Sequence, residues 1–463
     1  MRPVANLIQA LFHSWKFLSI ELSSNTATEP EVQTLLSAVV TNCLIANGQS
    51  QPPEEIFSTL SQTRADLALV LGQRLVQAKS SIPDMQRLLP TVWKTIENIR
   101  GSFDKPLLDE DIFYYRSLLK LLFLAIRVHA EAPTESENLR ASIRASQSAA
   151  IPTILSILEH VVAKGLRELA TSIHDSPADS SPEDLALITG ILQSCLRIPG
   201  IELNHGQIVV MMVNSSAPLL AVKLFSWAET LTIDGDPIYG ELSILFLLEL
   251  SSIPPMAEQL AASGILSQIY SAGITAYFRR PGVSPFAETA GLQRCYSIWA
   301  RGILPLLLNL LDAVQSSIAI EVAQFLNQFP LMLAHSEQAF DAPETDRIIP
   351  KGQTKYITAT ICSEVHSMSL LVYILTGFRE ALVSTMDIPG VKWDAAGVLE
   401  NVMFWLQPGS SSLLRARILP MGEREVEEVQ KAKSAGKTVS TLEMKIVAEL
   451  KGIRDVLGSV DSS

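Results

Sequence analysis

Few residues in this chain combine the type and the spacing that chemistry demands. Gly436-Lys437-Thr438 has the wording that ends a phosphate-binding loop, where backbone N–H groups and a lysine cradle phosphates. That loop needs another glycine five positions before Gly436, and Lys431 stands there. The segment also follows a charged stretch, Glu423–Lys433, where the motif calls for a buried strand, so a solvated turn between helices is expected. Asp109-Glu110-Asp111 has the acids of a metal-binding cluster such as helical terpene cyclases use. Ile112, Phe113 and Tyr114 follow where further carboxylates would be needed, and no second cluster matches it. Acids at this point suit the positive end of a helix dipole. Cys362 and His366, four residues apart, share one helix face, but a zinc site usually takes four ligands and no third lies nearby. The remaining histidines (His13, His129, His160, His174, His205, His335) form no His-Glu-x-x-His pair. Ser411 and Ser412 lack the glycines of a nucleophile elbow. The expectation is a protein that is not an enzyme, with no catalytic residue, no metal and no cofactor.

The elements around these residues point to packing. Of 463 residues, 48% are hydrophobic and only 18% charged, with a mean hydropathy of +0.25. A single core stops growing at roughly 250–300 residues, so a chain this long and apolar must divide into domains or stack repeated units. Aromatics make up 6%, which leaves Leu, Ile, Val and Ala to carry the apolar mass, as in helices packed on helices. The net charge of −12 and the lack of a basic stripe (Arg279-Arg280 and Arg415–Arg417 are the densest basic points) exclude nucleic acid as an expected partner. Cys43, Cys195, Cys295 and Cys362 lie far apart, as buried small hydrophobes in a reducing compartment would.

The N-terminal stretch is apolar but interrupted by His13 and Lys16, without a cleavage site, so no signal peptide is expected. It reads as an amphipathic helix that begins abruptly, like a piece of a longer chain. The most apolar runs, Leu118–Val128, Ile238–Leu250 and Ile303–Leu311, fall short of the roughly 20 residues that a bilayer crossing needs. The first two also carry Lys120, Arg127, Glu241 and Glu249, so no transmembrane span is expected.

Helical period dominates. Ile154, Leu158, Val161, Val162, Leu166 and Leu169 fall on one face, and so do Val439, Leu442, Ile446, Leu450, Ile453 and Leu457. Loop-like clusters at Asn47–Pro53, Ala130–Glu135, Asp175–Pro182, Arg279–Pro285, Asp341–Gln353 and Gln407–Gly422 punctuate the chain. Ser181-Pro182-Glu183-Asp184 and Ser252-Ile253-Pro254-Pro255 mark helix starts. The clearest repeat unit is Met256–Tyr270, where a short helix closes at Gly264 and a second begins at once, the wording of an armadillo repeat. Ala300-Arg301-Gly302-Ile303-Leu304 echoes it. The expected fold is all-α: an α-solenoid of armadillo- and HEAT-like repeats in a right-handed superhelical stack, continuous over 1–463. Residues 407–422 are expected to form an irregular loop that packs back, and 423–458 terminal amphipathic helices. Trp393, Phe404 and Trp405 flank one late helix, while Tyr356 and Tyr373 lie on the long helix before it. Trp and Tyr are enriched at binding hot spots, so these five are the candidate partner-binding residues; the competing reading is that they fill the core.

Met256–Phe278 and Cys295–Ala313, the latter reading Cys-Tyr-Ser-Ile-Trp-Ala-Arg-Gly-Ile-Leu-Pro-Leu-Leu-Leu-Asn-Leu-Leu-Asp-Ala, resemble the large scaffold nucleoporins of the nuclear pore's inner ring. The likeness is to the C-terminal tail of the hundred-and-eighty-eight-kilodalton class, and it rests on texture over nearly the whole chain, without an invariant motif. It implies a structural scaffold at the nuclear pore complex of the nuclear envelope. It also implies capture of helical segments of linker nucleoporins, and contact with Phe-Gly repeats or transport factors. A soluble karyopherin-like transport receptor or adaptor is the alternative.

Overall fold

Helix signals in the sequence are realised locally, and packing then decides which face each helix buries. In the computed structural model, the structure describes residues 6, 9, 10, 12, 13, 29–49, 55–77, 88–100, 103, 111–130, 149–177, 180–341, 356–381, 387–434 and 439–460. Ser181 caps its helix by accepting the Glu183 N–H at 3.3 Å, with Pro182 in the first turn. Gly264 sits at φ 70°, the left-handed conformation that separates the two helices of Met256–Tyr270. In the last helix Leu442, Ile446, Leu450, Ile453 and Leu457 are buried while Lys445 and Lys451 face solvent. Val439 lies ahead of that helix and is exposed.

Tertiary contacts divide the chain into two compact units, Met1–Leu220 and Ala221–Ser463. The boundary between the two units falls inside the helix Ala217–Trp227. The first unit contains α1 (Pro30–Asn47), α2 (Glu55–Gln77), α3 (Leu88–Arg100), α4 (Ile112–Ala130), α5 (Ala149–Asp175), α6 (Pro182–Leu196) and α7 (His205–Asn214). Here α1, α2, α4 and α6 each pack on the next; α3 bridges α1 and α4, and α5 lies against α6 and α7.

With α8 the boundary helix, the second unit contains α9 (Ile238–Ser251), α10 (Pro254–Ala262), α11 (Ile265–Ser271), α12 (290–314), α13 (Ala319–Asn327), α14 (Pro330–Glu337), α15 (Ala359–Ala381), α16 (Ala395–Leu406), α17 (Ser411–Arg417), α18 (Glu423–Ser434) and α19 (Thr441–Val460). Its helices form two layers. One runs α9, α12, α15, α19; the other runs α10 and α11, α13, α14, α16. Such nearest-neighbour layering is the helical-repeat arrangement, because each pair leaves an apolar face that only the next pair covers. Among the described residues there is no strand, only isolated bridges at Ile233–Asp236 and Ile357–Ile418. The core of this unit centres on Phe278, Trp299 and Phe329, whose ring centroids lie 5.5–6.0 Å apart.

Three expectations need correction. Gly302 does not open a helix as Gly264 does; it lies within a π turn, Ile298–Ile303, inside the longer helix α12. A second π turn, Leu158–Ala163, interrupts α5. Residues 407–422 are not simply irregular. Pro408–Ser410 forms a 3-10 turn leading into α17, because Leu414 finds a buried site and Arg415 grips Glu443 of α19 through two 2.9 Å hydrogen bonds. Finally, Ala149–Asp175, Ala290–Asn327 and Ala359–Ala381 are long and apolar enough to cross a membrane by length and composition. Of the three apolar runs, Ile303–Leu311 lies in one of these helices, whereas Leu118–Val128 belongs to α4 and Ile238–Leu250 makes up nearly all of α9; 44%, 44% and 56% of the most apolar windows of the three long helices are buried within the fold.

Candidate partner-binding groove

The five aromatic candidates separate by depth. Trp393 is 8% exposed, and its indole N–H donates to Ser336 Oγ at 3.0 Å. Trp405 is 2% exposed and donates to the Phe340 carbonyl at 2.8 Å. Both sit in the core, where the ring fills the interior and the one polar atom is satisfied. Phe404 is half-buried, edge-on to Trp405 with centroids 5.3 Å apart. Tyr356 is exposed and meets exposed Phe286 edge-on at 6.0 Å, beside the bridge at Ile357. Tyr373, on the outer face of α15, is 45% exposed and lines a groove.

That groove holds about 540 Å³ between the end of α12 (Leu311, Asp312, Gln315), the last turns of α15 (Tyr373, Ile374, Gly377, Phe378, Glu380) and Ser459 of α19. Two local features open it. Gln315 adopts φ 61°, which ends α12 abruptly. Gly377 then faces open space, since a Cβ built there would meet nothing within 4 Å. Apolar side chains form the walls, while Asp312 and Glu380 lie exposed on the rim. The C-terminal ends of α12 and α15 add partial negative charge from their dipoles. The groove therefore suits an apolar side-chain row with cationic flanks.

Residues with chemical potential elsewhere serve to join helices. Cys362 is fully buried, and burial pushes its thiol well above the usual range; His366 Nδ1 instead lies 2.5 Å from Glu449 Oε2 on α19. Tyr296 donates to Glu364 Oε2 at 2.6 Å, and His335 Nδ1 lies 3.4 Å from the same oxygen, linking α12, α14 and α15. Burial, followed by the Glu364 charge, raises the Tyr296 phenol well above its ordinary value. Arg294 pairs with both oxygens of Asp236 at 2.9 Å and with Glu241, which also accepts from Ser297. Ser411 starts α17 and donates to the Pro408 carbonyl at 3.0 Å. Asp111 precedes α4, whereas Asp109, Glu110 and Gly436–Thr438 lie outside the described residues. Sequence reading missed both the Tyr296–Glu364–His335 cluster and the Gly377 opening. The first joins residues up to 68 positions apart, and the second is defined by a missing atom.

Residues 88–457 match the family model described as nuclear pore protein NUP188 C-terminal domain. The chain is 39% identical to nucleoporin NUP188 of Chaetomium thermophilum, an alignment covering 97% of this chain and 26% of that protein. It is 24% identical to nucleoporin nup184 of Schizosaccharomyces pombe over 68% of this chain and 19% of that one. The solved structure of a Nup188 fragment (aa1445-1827) from Myceliophthora thermophila superposes with a TM-score of 0.68 at 42% identity, covering 81% of this chain and 98% of the fragment. The chain spans 26% and 19% of the lengths of these two curated relatives.

Proposed function

The chain belongs to the NUP188 C-terminal domain family, and from that premise we propose that it is a structural, non-catalytic part of a nuclear pore scaffold. In this reading it resides at the nuclear envelope and holds a short helical segment of a linker nucleoporin in the Tyr373 groove. The observation that carries the proposal is the groove itself: an exposed tyrosine, an unfilled position at Gly377 and an anionic rim at Asp312 and Glu380. An amphipathic segment would lay its apolar row on Tyr373, Ile374, Phe378 and Leu311, joining the stack as one more helix. Basic residues on its flanks would meet the two carboxylates. Phe-Gly repeats or transport factors would use the same apolar walls through single phenyl rings. The engagement of Glu364, His366, Cys362 and Arg294 in holding helices together supports a scaffold over an enzyme.

The test is affinity capture from nuclear-envelope extract on the immobilised chain, with bound proteins identified by mass spectrometry. Wild type should recover a linker nucleoporin, and both Tyr373→Ala and Gly377→Phe should lose it while retaining their helical content. Recovery of soluble cargo or a small GTPase without pore components would defeat the scaffold reading. Undiminished recovery on both variants would defeat the assignment of the groove.

A further inference from the structure

Residues 387–394 lie between α15 and α16 without forming a helix, and they are held in the manner of a bound peptide. Among the described residues their backbone–backbone hydrogen bonds are all local: Trp393 N–H to the Val391 carbonyl, and Ala395 and Val398 N–H to the carbonyls of Trp393 and Asp394. Their distant hydrogen bonds go to side chains 57–65 positions earlier. The Asn327 carboxamide, at the end of α13, donates to the Gly390 carbonyl at 3.0 Å and accepts from the Lys392 N–H at 2.9 Å. At the end of α14, Glu337 Oε1 accepts from the Asp394 N–H at 2.9 Å, and Ser336 Oγ accepts from the Trp393 indole. Three of these four bonds read main-chain groups, so they recognise an extended backbone and not a particular sequence. An extended chain from Gly390 to Asp394 covers about 13 Å, and α14 rises about 12 Å, so the segment runs alongside α14 in the same direction.

Selectivity comes from two anchors and one close approach. Ile388 and Trp393 are buried, whereas Asp387, Gly390 and Lys392 face solvent. A Cβ at residue 390 would stand 3.0 Å from Arg379 Nη1, so a small residue is favoured where the segment passes α15. We propose that the edge formed by Asn327, Ser336 and Glu337 is a binding site for an extended peptide carrying an aliphatic residue, a small residue two positions on and a tryptophan five positions on. Residues 387–394 occupy this site in cis, as an autoinhibitory strap. Because the strap is tethered beside its site, a partner segment of the same chemistry binds only where the strap has been displaced. Residues 387–393 carry no helical hydrogen bond, so they leave without unwinding a neighbour, while Asp394 remains as the cap of α16. This site is separate from the Tyr373 groove and does not depend on that assignment.

The probe is a fluorescein-labelled peptide with the sequence of residues 387–394, blocked at both ends, titrated with the whole chain and followed by anisotropy. The host is the strap variant Ile388→Ser/Trp393→Ser, which removes both anchors and leaves Asn327, Ser336 and Glu337 in place. Saturable binding to this variant is expected, with wild type about tenfold weaker or worse because its own strap competes. Adding Asn327→Ala to the strap variant should weaken binding about tenfold, since two backbone hydrogen bonds are lost, and a probe carrying Trp393→Ala should not bind. The proposal is overturned if the folded strap variant does not bind the probe, if wild type binds it equally, or if either Asn327→Ala or the altered probe binds undiminished. Hydrogen exchange on the native chain gives a second test that does not require the strap variant to fold. The Lys392 and Asp394 amides should exchange through an opening that leaves the Met332 and Leu333 amides of α14 protected. Exchange of all four only together, by global unfolding, would equally overturn it.

Discussion

Gly302→Ala adds one methyl where α12 meets α9, and its cost follows from the geometry. A Cβ at residue 302 would stand 2.5 Å from Ile244 Cγ2, 3.0 Å from its Cγ1 and 3.3 Å from its Cβ. Ile244 is fully buried, and the clash extends to its Cβ, so rotation about χ1 cannot clear it. Replacing glycine by alanine inside a helix ordinarily stabilises by about 1 kcal/mol. Overpacking a filled core costs about 1–3 kcal/mol, and this site lies toward the upper end because the obstructing atoms sit close to the backbone. The net expectation is a destabilisation of about 1–2 kcal/mol. Ile244→Ala alone should cost about 2–5 kcal/mol by leaving a cavity. In that background the alanine methyl at 302 enters the vacated space, so the second substitution should become neutral or stabilising. The two residues should then show a favourable coupling of about 1–3 kcal/mol. Urea unfolding followed by circular dichroism and tryptophan fluorescence gives all four corners of the cycle, provided the slopes agree. Stabilisation by Gly302→Ala in the parent chain, or an identical effect in both backgrounds, would refute the close approach of α12 and α9.

Three further outcomes are expected. Tyr296→Phe removes the 2.6 Å hydrogen bond to buried Glu364 and should cost about 1.5–3 kcal/mol, the range for a bond to a charged group; adding Glu364→Gln should recover most of it, as read by chemical denaturation. His129 is buried, and burial holds its imidazole below the ordinary value near 6.5. Its unfolded form therefore takes up a proton first, and stability is lost as pH falls below about 6.5; in melting curves from pH 7 to 5.5, His129→Phe should show a shallower decline than wild type. Burial pushes the Cys295 thiol up to about 12 and those of Cys195 and Cys362 higher still, whereas Cys43 is half-buried with a smaller rise. Maleimide at neutral pH should modify Cys43 first, and peptide mapping that found Cys362 labelled as fast would contradict the packing of α15 against α19.

How far the sequence could be read depended on whether a signal was local. The stripe of α19 from Leu442 to Leu457, the serine cap of α6 and the left-handed Gly264 each rest on a few neighbouring residues and appear where the pattern puts them, while Val439, the first residue of that stripe in sequence, falls outside the helix. Depth is not local. Trp393 and Trp405 have the residue types of a hot spot, yet Ser336 and Phe340, 57 and 65 positions away, take their N–H groups inside the core. Tyr373 differs from them only in lying on the outer face of α15, which depends on how α12 and α19 flank it. The groove beside it is shaped by Gly377, whose importance is the volume it leaves empty. The run Ile303–Leu311 is too short for a membrane on its own because its ends in sequence are not the ends of the helix that contains it. The π turns escaped notice because apolar residues continue through them without a break.

Those π turns also bear on how the family can change. At each, an N–H reaches back five residues in place of four: Lys164 to the Glu159 carbonyl in α5, and Leu304 to the Trp299 carbonyl in α12. Each turn thus accommodates one surplus residue, and the register after it is about 100° out of phase with the register before. Deleting a single residue there would restore a regular helix but rotate everything downstream by that angle. In α12 the rotation would carry Leu307, Leu310 and Leu311, all buried, away from the neighbours they now cover. A relative lacking the surplus residue must therefore shift its downstream apolar stripe by one position. Insertions and deletions at residues 158–163 and 298–303 act as phase changes in the packing, where the same event in a loop would alter only its length.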